Sequence, residues 1–78
     1  MKIGVKIMPR AEVLDTQGRA VERTFRSHGR ELNACKVGRY VVLDLVETEE
    51  PQAMAKAREM AEMVLYNPLI ETYELERL

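Results

Sequence analysis

The stretch VLDTQGRAVER, residues 13–23, lies at the junction between an extended segment and a helix. Two apolar residues end the extended segment, and Asp15 follows at the position of a helix N-cap. A carboxylate there accepts hydrogen bonds from the free N–H groups of the first turn and interacts favourably with the positive helix end. Val21 and Phe25 recur behind it at helical spacing. The pattern predicts a helix over residues 16–28.

Gly18 is unusual in the first turn of this helix, because glycine costs about 1 kcal/mol of helix stability relative to alanine. Two interpretations stay open. The glycine is tolerated in an ordinary capped helix, or it lets another chain or a ligand approach the backbone closely. Gln17 next to it offers both a hydrogen-bond donor and an acceptor. We hypothesise that Gln17 and Gly18 face a partner subunit.

Chain length and cysteine content limit how this protein is stabilised. Seventy-eight residues predict a single domain over 1–78, in which only about 60–65% of the surface of the unfolded chain is buried. Cys35 is the one cysteine, so an intrachain disulfide is excluded and a cysteine-based zinc site is disfavoured. Small domains with thin cores often gain stability by association. We therefore expect a homo-oligomer.

Charge and hydropathy exclude several classes of protein. Twelve basic and 13 acidic residues leave a net charge of -1, whereas nucleic-acid-binding proteins usually carry a concentrated basic surface. No run of 18 apolar residues occurs, and residues 1–5 already have the pattern of a strand. The sequence therefore predicts no nucleic-acid partner, no membrane span, no signal peptide and a cytoplasmic location.

The remaining segments read as further strands and one more helix. Ile3, Val5 and Ile7 alternate with polar residues and glycine, as in a strand with one buried face. Residues 32–47 read as extended, and Gly38 within them marks a bulge, a bend or a hairpin, which the sequence does not distinguish. A helix with an apolar stripe at Ala53, Ala57, Met60 or Ala61, and Val64 follows, and a last strand covers residues 69–78.

This order predicts an α+β fold in which two helices pack on a small antiparallel sheet. It is a β-α-β-β-α-β variant of the ferredoxin-like, split βαβ plan with a long bent central strand. Val42 and Val46 place apolar side chains on the second face of that strand. Because a lone domain would carry polar side chains there, they also favour self-association.

The sequence contains no recognisable catalytic arrangement. His28 is the only histidine and precedes Gly29 at a helix end, which is typical of a capping role. The four glycines are scattered, so no phosphate-binding loop is formed. Cys35 lacks a neighbouring activating group other than Lys36. We expect no catalytic residue, no metal site and no bound cofactor.

Three segments together resemble one protein family. They are VLDTQG with AVE within residues 13–22, KVGRY at 36–40 and NPLIETYEL at 67–75. In this order and at these distances they resemble PurS, the small subunit of phosphoribosylformylglycinamidine (FGAM) synthase. Thr16 stands where the family often has proline, and Lys36 with Arg39 reverses its usual order of cations. Both differences preserve the local physical properties.

The resemblance implies a non-catalytic assembly subunit in purine biosynthesis. In such a synthase, a glutaminase subunit, PurQ, releases ammonia from glutamine, and a large synthetase subunit, PurL, uses ATP and magnesium to activate the amide of formylglycinamide ribonucleotide. PurS bridges these two subunits as a homo-oligomer and binds none of these cofactors itself. A path closed to water keeps ammonia unprotonated and nucleophilic.

Two turns and one strand segment are the candidates for the partner interface. The turns mark a helix start and a helix end, where unpaired backbone groups are available to a partner. The candidates are Asp15, Gln17, Gly18, Gly38, Arg39, Tyr40, Asn67 and Pro68.

Two other functions compete with this interpretation. A regulatory module of the ACT type has a similar order of strands and helices and binds amino acids at dimer interfaces. An RNA-recognition fold would need stacking aromatic residues on the sheet, and Tyr40 and Tyr73 alone are too few. We therefore favour the assembly subunit.

Overall fold

The central strand of the sheet is the first strand of the chain. The computed structural model describes residues 1–78, and the three strands lie in the order β2-β1-β3, with both neighbours antiparallel to β1. A π-helical turn, Ala61–Leu65, continues the second helix. The elements in chain order are β1 (Lys2–Pro9), α1 (Thr16–Ser27), β2 (Arg39–Asp44), α2 (Glu50–Met60) and β3 (Glu71–Arg77).

The core lies between β1 and α2. The alternation of the first strand places three branched side chains on one face, and α2 with its π-helical turn faces them with alanines spaced four residues apart, on one side of the helix. Alanine lets the helix backbone approach the sheet closely, and Leu43 and Leu75 close the core from the flanking strands. The fully buried apolar residues are Ile3, Val5, Ile7, Ala53, Ala57 and Ala61.

The connections explain why the two helices differ in their packing. Strands β2 and β3 run parallel to each other on either side of β1, so their connection has to cross the sheet, and α2 makes this crossing as in a split βαβ unit. By contrast, β1 and β2 are antiparallel neighbours, and the chain leaves and returns at the same end of the sheet. The connection through α1 therefore does not need to cover the sheet, and Gly18 is the only buried residue of α1.

The α+β class, the antiparallel sheet and the two helices agree with the fold predicted from the sequence. The segment predicted as a long bent central strand forms only β2, Arg39–Asp44, and lies at an edge of the sheet. Its last pair with β1 joins Arg39 to Ile7, and the backbone N–H of Val37 binds the Asp15 carboxylate instead of a neighbouring strand. Residues 30–38 consequently form no strand. Gly38 lies just before β2, and the observed order is β-α-β-α-β.

The end of the second helix differs from the predicted stripe. Ala53, Ala57 and Ala61 are buried as expected, but Val64 is exposed, and Leu65 packs on the core in its place. The wider winding of the π-helical turn shifts the positions that follow Ala61. None of the helices is both long and apolar enough to cross a membrane.

The isolated chain is more extended than a globular protein of its size. Its radius of gyration is 15.6 Å and its dimensions are 47 × 25 × 15 Å, whereas a chain of this length is expected to have a radius of gyration of about 11.5 Å. Its accessible surface is 5762 Å², against about 4,900 Å² expected from its mass. The excess is close to the roughly 800 Å² that one partner contributes to a standard interface.

Part of this excess surface is apolar side chain on α1 and in the preceding loop. Phe25 is 46% exposed and Leu14 is 62% exposed, and Val21 lies on the same side of the helix as Phe25. On the other face of the sheet from α2, Val42 is 52% exposed.

We expect the chain to self-associate through the apolar residues of α1. Light scattering at micromolar concentration should give the mass of a dimer or a tetramer, and Phe25→Gln should shift the population toward the monomer, because a buried amide without a partner is unfavourable. Leu69→Gln, at an 83% exposed position of a turn, is the matched control. A wild-type chain that is monomeric at this concentration would contradict the prediction.

Candidate partner interface

Asp15 joins the start of α1 to the segment that leads into β2. One carboxylate oxygen, Oδ1, accepts from the backbone N–H of Gly18 at 2.9 Å, and this bond is the N-cap predicted from the sequence. The other oxygen, Oδ2, accepts from the backbone N–H of Val37 at 2.9 Å. A single side chain thus caps the helix and holds a segment 22 residues farther along the chain.

These two hydrogen bonds determine the protonation of Asp15. The bond from Gly18 N–H, then the bond from Val37 N–H and the nearby charge of Lys36 lower the pKa of the Asp15 carboxyl below its usual value of 3.8, while desolvation opposes this change. The carboxylate therefore remains ionised at neutral pH, as a helix N-cap that accepts two N–H bonds requires.

Gly18 is glycine because its own chain packs against it. A Cβ at this position would collide with the carbonyl oxygen of Cys35 and with the carboxylate of Asp15. Gly18 is buried, whereas its neighbour Gln17 is exposed. A group does approach the backbone of Gly18 closely, but it is the carbonyl of residue 35 of the same chain and not part of a partner.

Gly38 and Arg39 lie where β2 begins. A Cβ at Gly38 would collide with the carbonyl oxygen of Ile7 and with the sulfur of Met8. The Arg39 guanidinium donates to both carboxylate oxygens of Glu71, at 2.9 and 3.0 Å, and to the carbonyl oxygen of Leu65 at 3.0 Å. Arg39 therefore connects the starts of the two edge strands with the end of the π-helical turn.

Tyr40 lies on the sheet face opposite α2. Its ring fills the space that a side chain on Gly4 would occupy, and its hydroxyl donates to the carboxylate of Glu76 across the sheet. This hydrogen bond is the main cause that raises the pKa of Tyr40, and desolvation and the charge of Glu76 act in the same direction. Tyr40 is 48% exposed, so part of this residue is free to contact another molecule.

Asn67 and Pro68 form a turn tied to the rest of the sheet end. The Asn67 side-chain oxygen accepts from Leu69 N–H at 3.0 Å, and the Asn67 N–H donates to Glu71 at 2.8 Å. The carbonyl oxygen of Pro68 accepts from the Arg10 guanidinium at 3.0 Å. The turn is therefore ordered by side chains from the loop after β1 and from β3.

The structure brings most of the predicted interface residues to one end of the sheet. The strand register pairs Pro9, at the end of β1, with Glu71 and brings β2 to the same end at Arg39. An ion pair then joins Arg39 to Glu71. Asp15 is linked to this end through Val37, and Tyr40 lies one residue farther into the sheet. Sequence reasoning missed the role of Glu71, because its pairing with Arg39 depends on the order of the strands.

The exposed parts of this sheet end offer polar and aromatic groups to a partner. Gln17, Asn67 and Pro68 are exposed, and Tyr40 is about half exposed. No group of three or more histidine, cysteine, aspartate and glutamate side chains lies close enough together to hold a metal ion.

Replacing Gly18 by alanine tests the intrachain contact. We expect Gly18→Ala to lower the free energy of unfolding by about 1–3 kcal/mol, because the added methyl group overpacks the contact with the Cys35 carbonyl. At an open helical position, replacing glycine by alanine would instead raise the free energy of unfolding by up to about 1 kcal/mol. Chemical denaturation measures the difference, and Gln17→Ala, at the exposed neighbouring position, should be near neutral. A Gly18→Ala variant that is more stable than wild type would contradict the predicted overpacking against the Cys35 carbonyl.

The hydrogen bonds of Asp15 predict a pH dependence. Because its pKa is lower in the folded chain than the unfolded value of 3.8, the stabilisation is fully present above that value and is lost as pH falls through the folded pKa. We expect Asp15→Asn to melt at a lower temperature than wild type at pH 7, and this difference should shrink below pH 3.8. A difference in melting temperature that is independent of pH would contradict the assignment.

The chain matches a known family over almost its whole length. The family described as "PurS: Phosphoribosylformylglycinamidine (FGAM) synthase" matches residues 2–78. A subunit from Thermotoga maritima named "Phosphoribosylformylglycinamidine synthase subunit PurS" is 26% identical over 78 residues, which cover 99% of this chain and 95% of the relative.

Solved structures show the same fold. The structure of PurS from B. subtilis is 31% identical, with a TM-score of 0.79 over 96% of this chain and 94% of that one. A chain of "PurLQS from Thermotoga maritima" is 26% identical, with a TM-score of 0.91 over 99% of this chain and 95% of that one. The family match, spanning both helices and all three strands, shows that this chain belongs to the PurS family, the small subunit of FGAM synthase.

Proposed function

We propose that this chain is the non-catalytic assembly subunit that holds the glutaminase and synthetase subunits of FGAM synthase together. The observation that carries the proposal is the match to the PurS family over residues 2–78. The similarity to a chain of the PurLQS structure over 99% of the present chain supports the same role. This similarity favours the assembly role over that of an ACT-like regulatory module.

The chemistry of the synthase explains why an assembly subunit is useful. Ammonia released from glutamine becomes protonated in water and then is no longer a nucleophile. A subunit that fixes the glutaminase against the synthetase keeps the path between the two sites short and closed to solvent. In this proposal the partners are PurQ, PurL and further copies of this chain, assembled in the cytoplasm, and the ATP, magnesium and glutamine are used by PurL and PurQ.

The shape of the chain fits a subunit that contacts several partners. The surface beyond that of a compact monomer and the exposed apolar side chains of α1 favour contact with other copies. The ordered sheet end, with Arg39 and Glu71 paired, provides a firm support for the exposed groups of Gln17, Tyr40 and Asn67. We propose that these three residues face PurL or PurQ, and that Asp15, Gly18, Gly38 and Pro68 shape the backbone that presents them.

Reconstitution of the synthase tests the proposal. The PurL and PurQ proteins of the same organism should make FGAM from glutamine only when this chain is added, because transfer requires assembly. With ammonium salt replacing glutamine, PurL should turn over without the chain. Glutamine-dependent synthesis at the full rate in the absence of this chain would refute the assembly role.

A further inference from the structure

A cationic cleft lies between α1 and the segment that leads into β2. Its volume is about 420 Å³, and it is walled by α1, the loop after β1 and residues 34–36. Four cationic side chains and two carboxylates line it, together with small or apolar residues, in a chain whose overall net charge is -1. The charged residues are Asp15, Arg19, Glu22, Arg23, Arg26 and Lys36.

The two carboxylates of this cleft are already engaged within the chain. Asp15 accepts hydrogen bonds from two backbone N–H groups. Glu22 pairs with Arg26 at 2.7 Å, and Arg26 also donates to the carbonyl oxygen of Leu32 at 3.1 Å. Neither acid forms an ion pair with any of the other three cations of the cleft.

Three cations of the cleft have no ion-pair or hydrogen-bond partner in the chain. Arg19 and Arg23 are four residues apart on α1, where like charges face each other and disfavour the helix. Lys36 projects into the cleft from the opposite wall, and its charge also lowers the pKa of Asp15. An anion between the two walls would relieve the repulsion between these three side chains.

We propose that this cleft binds a small molecule through a phosphate or diphosphate group. Guanidinium groups bind phosphate oxygens in a bidentate manner, and a lysine adds a point charge. The cleft volume lies in the range of small-molecule sites, and its cations come from two of its walls. Arg19, Arg23 and Lys36 would hold the ligand, and Arg26 keeps its position through Glu22. This site goes beyond the assembly role and does not depend on it.

Calorimetric titration of the full chain with pyrophosphate tests the site. We expect saturable binding to wild type that weakens with added salt. Arg19→Gln with Arg23→Gln should reduce the affinity at least about tenfold, because charge-assisted hydrogen bonds are lost. Lys36→Gln provides an independent variant on the opposite wall. Lys6→Gln, at an exposed cation of β1 that does not line the cleft, is the matched control and should bind as wild type does.

Titrations with inorganic phosphate and ADP under the same conditions distinguish the source of the phosphate. Preference for ADP over pyrophosphate identifies a nucleotide, and equal or weaker binding of ADP identifies the phosphate groups alone; either result supports the site. Absence of saturable binding to all three probes, or an equal loss of affinity in Lys6→Gln, overturns it.

Assembly provides a separate readout. If the arginine variants fail to join PurL and PurQ while wild type binds none of the probes, the cleft receives an acidic protein segment instead, and the phosphate proposal is wrong. If wild type joins PurL and PurQ without binding any probe, the proposed assembly role stands and only this inference fails.

Discussion

The close contact between β1 and the alanines of the second helix is the constraint on which the remaining structure depends. Ile3, Val5 and Ile7 have almost no exposed surface, and only eight residues of the chain are buried at all. A helix with larger side chains at the alanine positions would stand farther from the sheet and leave voids beneath it. The crossing by α2 therefore provides both the connection between the edge strands and, with the π-helical turn, the helical side of the core.

The first helix depends on different forces. It contributes no side chain to the core, and its start is held through Asp15, which binds two backbone N–H groups. The contact of Gly18 with the Cys35 carbonyl brings the same two segments together at van der Waals distance. In most domains apolar packing holds a helix in place. Here hydrogen bonds and the contact at one glycine hold α1. The apolar residues of α1 remain available for other chains.

Local patterns in the sequence predicted the elements that depend on neighbouring residues. The alternation of Ile3, Val5 and Ile7, the N-cap at Asp15 and the helix end before Gly29, whose φ is 75°, are all present. The sequence left open whether Gly18 is a tolerated helix residue or marks a close approach by a partner, and in the structure it lies against its own chain. That the approaching group was residue 35 of the same chain could not be inferred, because sequence spacing does not reveal tertiary contacts.

Features that depend on strand order or on contacts between distant segments could not be predicted, because sequence spacing does not reveal such contacts. The pairing of Arg39 with Glu71 and the bond from Val37 N–H to Asp15 join residues 32 and 22 positions apart. Residues 32–47 have the composition of extended structure. A strand forms only where a neighbouring strand supplies hydrogen bonds, and the pairing of this segment with β1 begins at Arg39. The cationic cleft likewise needs both of its walls before it can be recognised.

The separation of α1 from the core has a consequence for how this protein tolerates change. Substitutions at sites without shared contacts have nearly additive effects on stability, and the exposed side chains of α1 share none with the buried residues under α2. The outer surface of this helix can therefore accept new side chains at little cost to the sheet. The exposed side chains of α1 and the buried core lie in different parts of the 78-residue chain, so the former can be altered while the latter is kept.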